Sequence, residues 1–350
     1  MARGWQAIRG ATWMAWALLG CTQEPLRDTD HLRIVAVQAE PPTASAGQLV
    51  QLKLLHSDLV RARAGVPVQV AWIGGCHDPP GGRHLDCYEP AREAVRLYAE
   101  RVYDTPTSVL EAHAGTLGIG TSFAYVAPET TGAVGVSYVF FAACRGVLTP
   151  APNVEDTVPL RCVDDDGTRL GRTDFEVGFA AVPILPPGVG NQNPVIQTLL
   201  VNDAPIGEEL CTTDADCPAR GEPPVRYRCL AFDGADLQCR PVLVPCTDDP
   251  CPSVSLEPQL APENAEPNLL AAAPGQAPPL EVLSAELLTP WDEDEETFTR
   301  QDGDWHPVPR FRVRLPADFA DLQARVWLVV RDNRGGVTWS SWPFGVATEE

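Results

Sequence analysis

Hydrophobic and polar positions alternate with period two over several short stretches of this chain. Val50, Leu52 and Leu54 alternate with Gln51 and Lys53. Val66, Val68, Val70 and Trp72 repeat the pattern. So do Val134, Val136, Tyr138, Phe140, Ala142 and Cys144, and later Phe175, Val177, Phe179 and Ala181. Such alternation places one side of a strand in a core and leaves the other outside it. Leu32 to Ala39 reads as an opening strand, turned by Pro41-Pro42 and Gly47. Clusters of Gly, Pro, Asp and Asn separate the segments, so the pattern predicts a mainly β chain of short strands packed as a sandwich.

The second half repeats the theme. Pro183 to Gly190 reads as a linker, and Asn193-Pro194 opens a strand over Val195 to Val201. Strands resume at Glu281 to Leu288. Phe311, Val313 and Leu315 then alternate with Arg312 and Arg314. Val326, Leu328 and Val330 run into Asp332-Asn333-Arg334-Gly335-Gly336, and Val337 to Val346 completes a closing hairpin. One stretch has helical spacing: Ala91, Ala94, Val95, Tyr98, Ala99, Val102 and Tyr103, with Arg92, Glu93, Arg96 and Glu100 opposite. It predicts an amphipathic helix over 90–103 whose apolar stripe packs on the core. Residues 211–251 hold six cysteines among few large apolar residues, so disulfides are expected to hold them. Residues 252–280, rich in Pro, Ala and Glu, predict an irregular, extended connection. Gly115 to Gly120 lacks the Lys and Ser/Thr of a phosphate loop and reads as a turn.

Over 31–185 the chain resembles a bacterial immunoglobulin-like domain, with Trp72 at the place of the buried tryptophan of the third strand. The second strand carries no cysteine, so the inter-sheet disulfide of antibody domains is not expected, and no tyrosine stands two residues before Cys144. Residues 191–346 read as a second sandwich, interrupted by 211–251 and 252–280. The opening Cys211-Thr-Thr-Asp-Ala-Asp-Cys217-Pro is similar to Cys-rich modules in exported proteins of myxobacteria and their relatives.

The N-terminus adds an address. Arg3 and Arg9 precede an uncharged, mostly apolar run from Ala11 to Leu19, and Gly20 precedes Cys21. This is the layout of a secretory signal over 1–20, too short to span a bilayer as a helix. Leu18-Leu19-Gly20-Cys21 resembles the lipobox of bacterial lipoproteins. The resemblance implies a diacylglycerol on the Cys21 thiol and a second acyl group on the new amino terminus, enough for stable anchoring. Residues 21–30 then form a tether. Thr22, where the enteric inner-membrane signal has Asp, points to the outer membrane of a Gram-negative envelope.

Charge and cysteine count narrow the partners. The net charge is -21, which repels phosphate backbones and anionic lipid and argues against nucleic acid as a partner. Attachment to a membrane must then come from the lipid. Setting aside Cys21 from the 11 cysteines leaves an even ten, namely Cys76, Cys87, Cys144, Cys162, Cys211, Cys217, Cys229, Cys239, Cys246 and Cys251. In an oxidising compartment these read as disulfides. Cys76 with Cys87 and Cys144 with Cys162 is one pairing, and Cys76 with Cys144 the alternative. For the six in 211–251 the sequence leaves all 15 pairings open.

Candidate chemistry is sparse. Cys76, His77, His84 and Cys87 are the right residue types for zinc, against a local disulfide with two exposed histidines on a loop. Asp164 and Asp166 offer carboxylates for calcium, but EF-hand spacing is not met and a solvated turn is the plainer reading. Trp327, Trp339 and Trp342 near the closing hairpin are either a sugar-stacking platform or sandwich core. No Gly-x-Ser-x-Gly and no His-Glu-x-x-His occurs, so no catalytic residue is nominated and no cofactor is expected. The expectation is a non-catalytic, lipid-anchored envelope protein for display, adhesion or scaffolding through protein or glycan contacts. The alternative is a carbohydrate-binding module or a glycan-acting envelope enzyme, with Asp304 beside Trp305 as an acidic feature near the tryptophans.

Overall fold

The computed structural model describes residues 31–57, 68–77, 87, 92, 95, 117–129, 134–151, 160–207, 209–232, 236–247, 252–261, 277, 282–289, 298–300, 308–317, 319 and 323–347. The leader, the tether, Cys21, His84, Cys251 and Asp304-Trp305 lie outside these residues.

The first half contributes β1 (Arg33–Glu40), β2 (Leu49–Ser57), β3 (Gln69–His77), β4 (Leu117–Ile119), β5 (Ser122–Val126), β6 (Gly135–Cys144), β7 (Val147–Pro150), β8 (Leu160–Val163) and β9 (Phe175–Ile184). One sheet has the order β1-β2-β5 and the other β4-β3-β6-β9, with β7 and β8 as a separate hairpin. All these pairings are antiparallel. The sheets close on Val50, Leu52, Val70, Trp72, Phe123, Val139, Phe141, Val182 and Ile184. Trp72 is fully buried, stacks on Phe123 at 6.0 Å and meets Phe141 edge-on at 5.7 Å. Its Nε1–H donates to Gly120 O at 2.7 Å, which satisfies the one polar atom of the indole.

The second half contributes β10 (Ile196–Val201), β11 (Ala204–Pro205), β12 (Tyr227–Leu230), β13 (Gln238–Leu243), β14 (Val254–Leu260), β15 (Leu283–Leu288), β16 (Phe298–Arg300), β17 (Val308–Val313), β18 (Gln323–Asp332) and β19 (Val337–Val346). Its sheets run β11-β10-β14-β17-β16 and β12-β13-β19-β18-β15. The trio β10-β14-β17 corresponds to β1-β2-β5, and β15-β18-β19 to β3-β6-β9. The molecule is thus mainly β, two sandwiches of one strand order with a disulfide-rich insertion. Leu199, Leu256, Phe311, Leu315, Val326, Leu328 and Phe344 fill the second core.

The cysteine-rich insertion is built into that core. Tyr227, Leu243, Cys211, Cys217 and Cys239 belong to the same buried cluster as the sandwich strands. β13 lies parallel to the end of β19, with Val242 opposite Gly345 and Leu243 opposite Val346. In the first sandwich Ala44 makes the equivalent parallel bridge to Ile184. The insertion therefore occupies the place of a single bridging residue. Asn202, at positive φ in the β10–β11 turn, ties it down by donating from Nδ2 to Pro223 O at 2.7 Å and accepting from Ser255 N at 2.7 Å.

Several expectations change in the fold. The alternation of Phe175, Val177, Phe179 and Ala181 does not face the sandwich core. Val182 and Ile184 do, with Ala180 packed beside them, while Val177 and Phe179 are each 40% exposed. Phe141 decides this: a Cβ on Gly178 would stand 2.5 Å from its Cζ, so only a glycine fits under that ring. In β6 likewise Val139, Phe141 and Ala143 face the first sheet, and Phe140 turns to a third cluster with Ile73, Cys76, Cys87 and Val95. β6, in the middle of its sheet, is covered on both faces over most of its length and is apolar on both. Arg92 and Val95 are helical and Val95 is buried, while the rest of the expected helix over 90–103 lies outside the described residues. The segment 252–280 is not irregular throughout: it begins with β14, a central strand whose Leu256 is fully buried. Composition hid the alternation of Val254 and Leu256 with Ser255 and Glu257. Leu117 to Ile119 is also a strand, paired with β3.

Candidate functional site

The junction between the sandwiches brings together residues that are far apart in the chain. Asn191 is 4% exposed. Its backbone N–H donates to Thr43 Oγ1 of the first sandwich at 2.7 Å, and its Nδ2 donates to Asp332 Oδ2 of the second at 2.9 Å. Asp332 Oδ1 accepts from Arg334 N at 2.7 Å and Gly336 N at 2.8 Å, which shapes the β18–β19 turn. Asn193 links three segments: Nδ2 donates to Ala39 O at 2.6 Å and Glu40 Oε2 at 2.8 Å, and Oδ1 accepts from Val337 N at 2.8 Å. Arg334 donates to Gly190 O at 2.9 Å, and Arg331 donates to Val35 O at 3.1 Å while pairing with Glu286 at 2.7 Å. A Cβ on Gly336 would run into the Asp332 carboxylate and stand 2.9 Å from Gln192 O, so the turn needs glycine for close approach.

Two grooves flank this junction. One of about 320 Å³ has Val35, Val37, Phe179, Ala181, Arg331 and Val337 among its walls. The other, about 580 Å³, lies where the end of β1, the linker and the first half of β19 meet. Its lining includes Gln38, Glu40, Asn191, Gln192, Trp339 and Ser340. Nothing in the linear sequence brings these residues together. Asn193-Pro194 reads as a strand opening and Asp332 to Gly336 as a turn, and only the docking of two sandwiches makes them one site.

The sequence-nominated residues are placed as follows. Cys76–Cys87 and Cys144–Cys162 are disulfides, as are Cys211–Cys229 and Cys217–Cys239. Cys246 is disulfide-bonded as well. The Cys76 and Cys87 sulfurs are therefore bonded to each other and not available as thiolate zinc ligands. Exposed His77 lies with Nδ1 3.2 Å from Ser137 Oγ. The sulfurs of Cys211, Cys217 and Cys239 lie within 4.8 Å of one another, because two disulfides are packed side by side.

Asp164 Oδ1 accepts from Asp166 N at 3.0 Å and Thr168 N at 2.8 Å, the hydrogen bonding of a solvated turn. In the insertion, Asp216 accepts from the backbone N–H groups of Thr212 at 2.8 Å and Thr213 at 2.9 Å. These bonds hold its carboxyl down at about 2. Asp214 is also held below the usual carboxylate range, chiefly by the Cys229 N–H at 2.8 Å and then by Arg228. Arg310 bridges Glu257 and Asp203 at 2.6 and 2.7 Å.

The three tryptophans do not form one platform. Trp342 is buried in the second core with Phe344. Trp327 and Trp339 are half-buried on the opposite, outer face of the sheet. There Trp339 lies across from Val329 and Trp327 across from Ser341.

A scan against protein-family models finds no match, and a search of curated proteins finds none either.

Proposed function

We propose that this chain is a lipid-anchored envelope protein that displays two coupled sandwiches for non-catalytic adhesion or scaffolding. The observation that carries the reading is the state of its cysteines. All nine among the described residues are disulfide-bonded, which fits a chain matured in an oxidising compartment. In the sequence, setting aside the lipobox-like Cys21 leaves an even ten cysteines, as setting aside an anchoring residue would. The ionisable groups support a structural protein: Asp164, Asp214, Asp216 and Asp332 hold backbone N–H groups, and Arg310 ties β10–β11, β14 and β17 together. The junction adds the stiffness that a display stalk needs. The glycan reading draws on Trp339, half-buried on the outer face of its sheet.

The test is the intact mass of the mature protein from a membrane fraction, before and after reduction, with protease treatment of intact cells beside it. Acyl mass on Cys21, ten thiols appearing only on reduction, and cleavage on intact cells are expected. A cut elsewhere without acyl mass, free thiols before reduction, or protection until cells are opened would overturn the reading.

A further inference from the structure

We infer that the larger groove at the junction, beside the start of β19, binds a neutral oligosaccharide. It lies between two units, where ligand clefts commonly form, and its volume of about 580 Å³ falls within the range of small-ligand sites. Its walls combine one half-buried aromatic residue, Trp339, with the amides of Gln38 and Gln192. A sugar ring has an apolar C–H face and a rim of hydroxyls, and it needs this pairing of an aromatic surface with uncharged donors and acceptors.

Asn191 leaves one acceptor unsatisfied beside this groove. It is 4% exposed and lines this groove, and its Oδ1 is buried without a hydrogen-bond partner. The amide cannot simply turn over, because Asp332 accepts only and so fixes Nδ2 on its own side. The orphan is an acceptor with no accessible surface, so it marks the polar character of the wall and is not itself a ligand contact.

The strand edge adds a further pair of groups. Val337 N–H points away from β18 to Asn193 Oδ1. Antiparallel alternation turns the N–H and C=O of Trp339 to the same edge, along the groove. Charge selects within the sugars. Glu40 at the rim and the net charge of -21 disfavour uronic acids, sulfated sugars and phosphorylated glycans. The hydrogen bonds of Asn191, Asn193 and Arg334 hold the two walls in place before a ligand arrives, which reduces the ordering that binding would otherwise require.

This inference deepens the display reading by naming its ligand class. The experiment probes the mature chain, as purified, on an array of neutral and acidic oligosaccharides. Calorimetric titration with neutral hexasaccharides of glucose, xylose, mannose and N-acetylglucosamine follows. Binding to at least one neutral hexasaccharide and to no acidic one is expected. Trp339→Ala should weaken it at least tenfold and Gln38→Ala several-fold, while Trp327→Ala leaves it unchanged. Near-ultraviolet circular dichroism checks the fold, and Gln38→Ala keeps the test open should Trp339→Ala misfold. Silence of all neutral sugars, wild-type binding by both groove variants, or loss on Trp327→Ala would overturn the assignment. An acylated chain that binds no sugar fails here and leaves the anchor standing, whereas an unacylated chain that binds does the reverse.

Discussion

Replacing Asp332 by Ala should loosen the junction without dissolving either core. The carboxylate is 9% exposed and accepts from Asn191 Nδ2 at 2.9 Å, Arg334 N at 2.7 Å and Gly336 N at 2.8 Å. A hydrogen bond to a charged group contributes about 1.5–3 kcal/mol, so the gross loss is several kcal/mol. Two terms reduce it. The carboxylate no longer has to be desolvated, and the Arg334 N–H, on a half-buried turn, recovers a water partner. What remains is about 3–4 kcal/mol, close to the usual result of removing one partner from a buried charged contact. Asp332→Asn should cost only about 1 kcal/mol. The Asn191 amide can then turn, presenting its orphaned Oδ1 to the new amide and keeping both residues paired. The assay is urea unfolding followed by tryptophan fluorescence, with small-angle scattering for the angle between sandwiches. A single transition should split in two for Asp332→Ala, with a broader scattering profile. A loss under about 1 kcal/mol with unchanged scattering would refute the claim that this carboxylate couples the units.

Trp72→Ala should destabilise the first sandwich by about 3–5 kcal/mol, since it empties a site packed by Phe123 and Phe141, and urea midpoints measure this. Trp72→Phe should lose less, chiefly the hydrogen bond to Gly120 O. Replacing both Cys144 and Cys162 by Ser opens a bridge between residues 18 apart and should cost about 3 kcal/mol by thermal denaturation. The pH dependence of the insertion follows from Asp216, whose carboxyl sits at about 2 against an ordinary 3.8. A depressed value means its stabilisation is complete above the ordinary value and disappears as pH falls through about 2. Melting temperature should therefore fall between pH 4 and 2, and Asp216→Asn should flatten that slope.

The class of the fold was legible because alternation is local. Val50, Leu52 and Leu54 read inward from the sequence and are buried, and so are Val326, Leu328 and Val330. Alternation fails where a sheet is covered twice. In β6 both faces are apolar, and the choice of inner face rests on Phe141 over Gly178, a contact across strands. Proline-rich composition concealed β14, whose role comes from pairing with β10 and β17, over 50 residues away on either side. The disulfide pairs in the insertion were open by counting and were decided by how the segment carrying Cys211 and Cys217 lies along β12 and β13. Cys229 and Cys239 face each other in the β12–β13 register, yet they bond to Cys211 and Cys217 and not to each other.

Of the candidate site, the sequence supplied Trp339 and little else. Period-two patterning, turn residues and an even cysteine remainder are properties of neighbours along the chain. They determined by themselves that this is a β-sandwich protein built with disulfides. Asn191, Gln38 and Trp339 share a groove only because β18 and β19 close a second sandwich whose turn docks onto the first. That meeting depends on the packing of two cores and on one carboxylate between them, and no local pattern encodes a contact made across 141 residues.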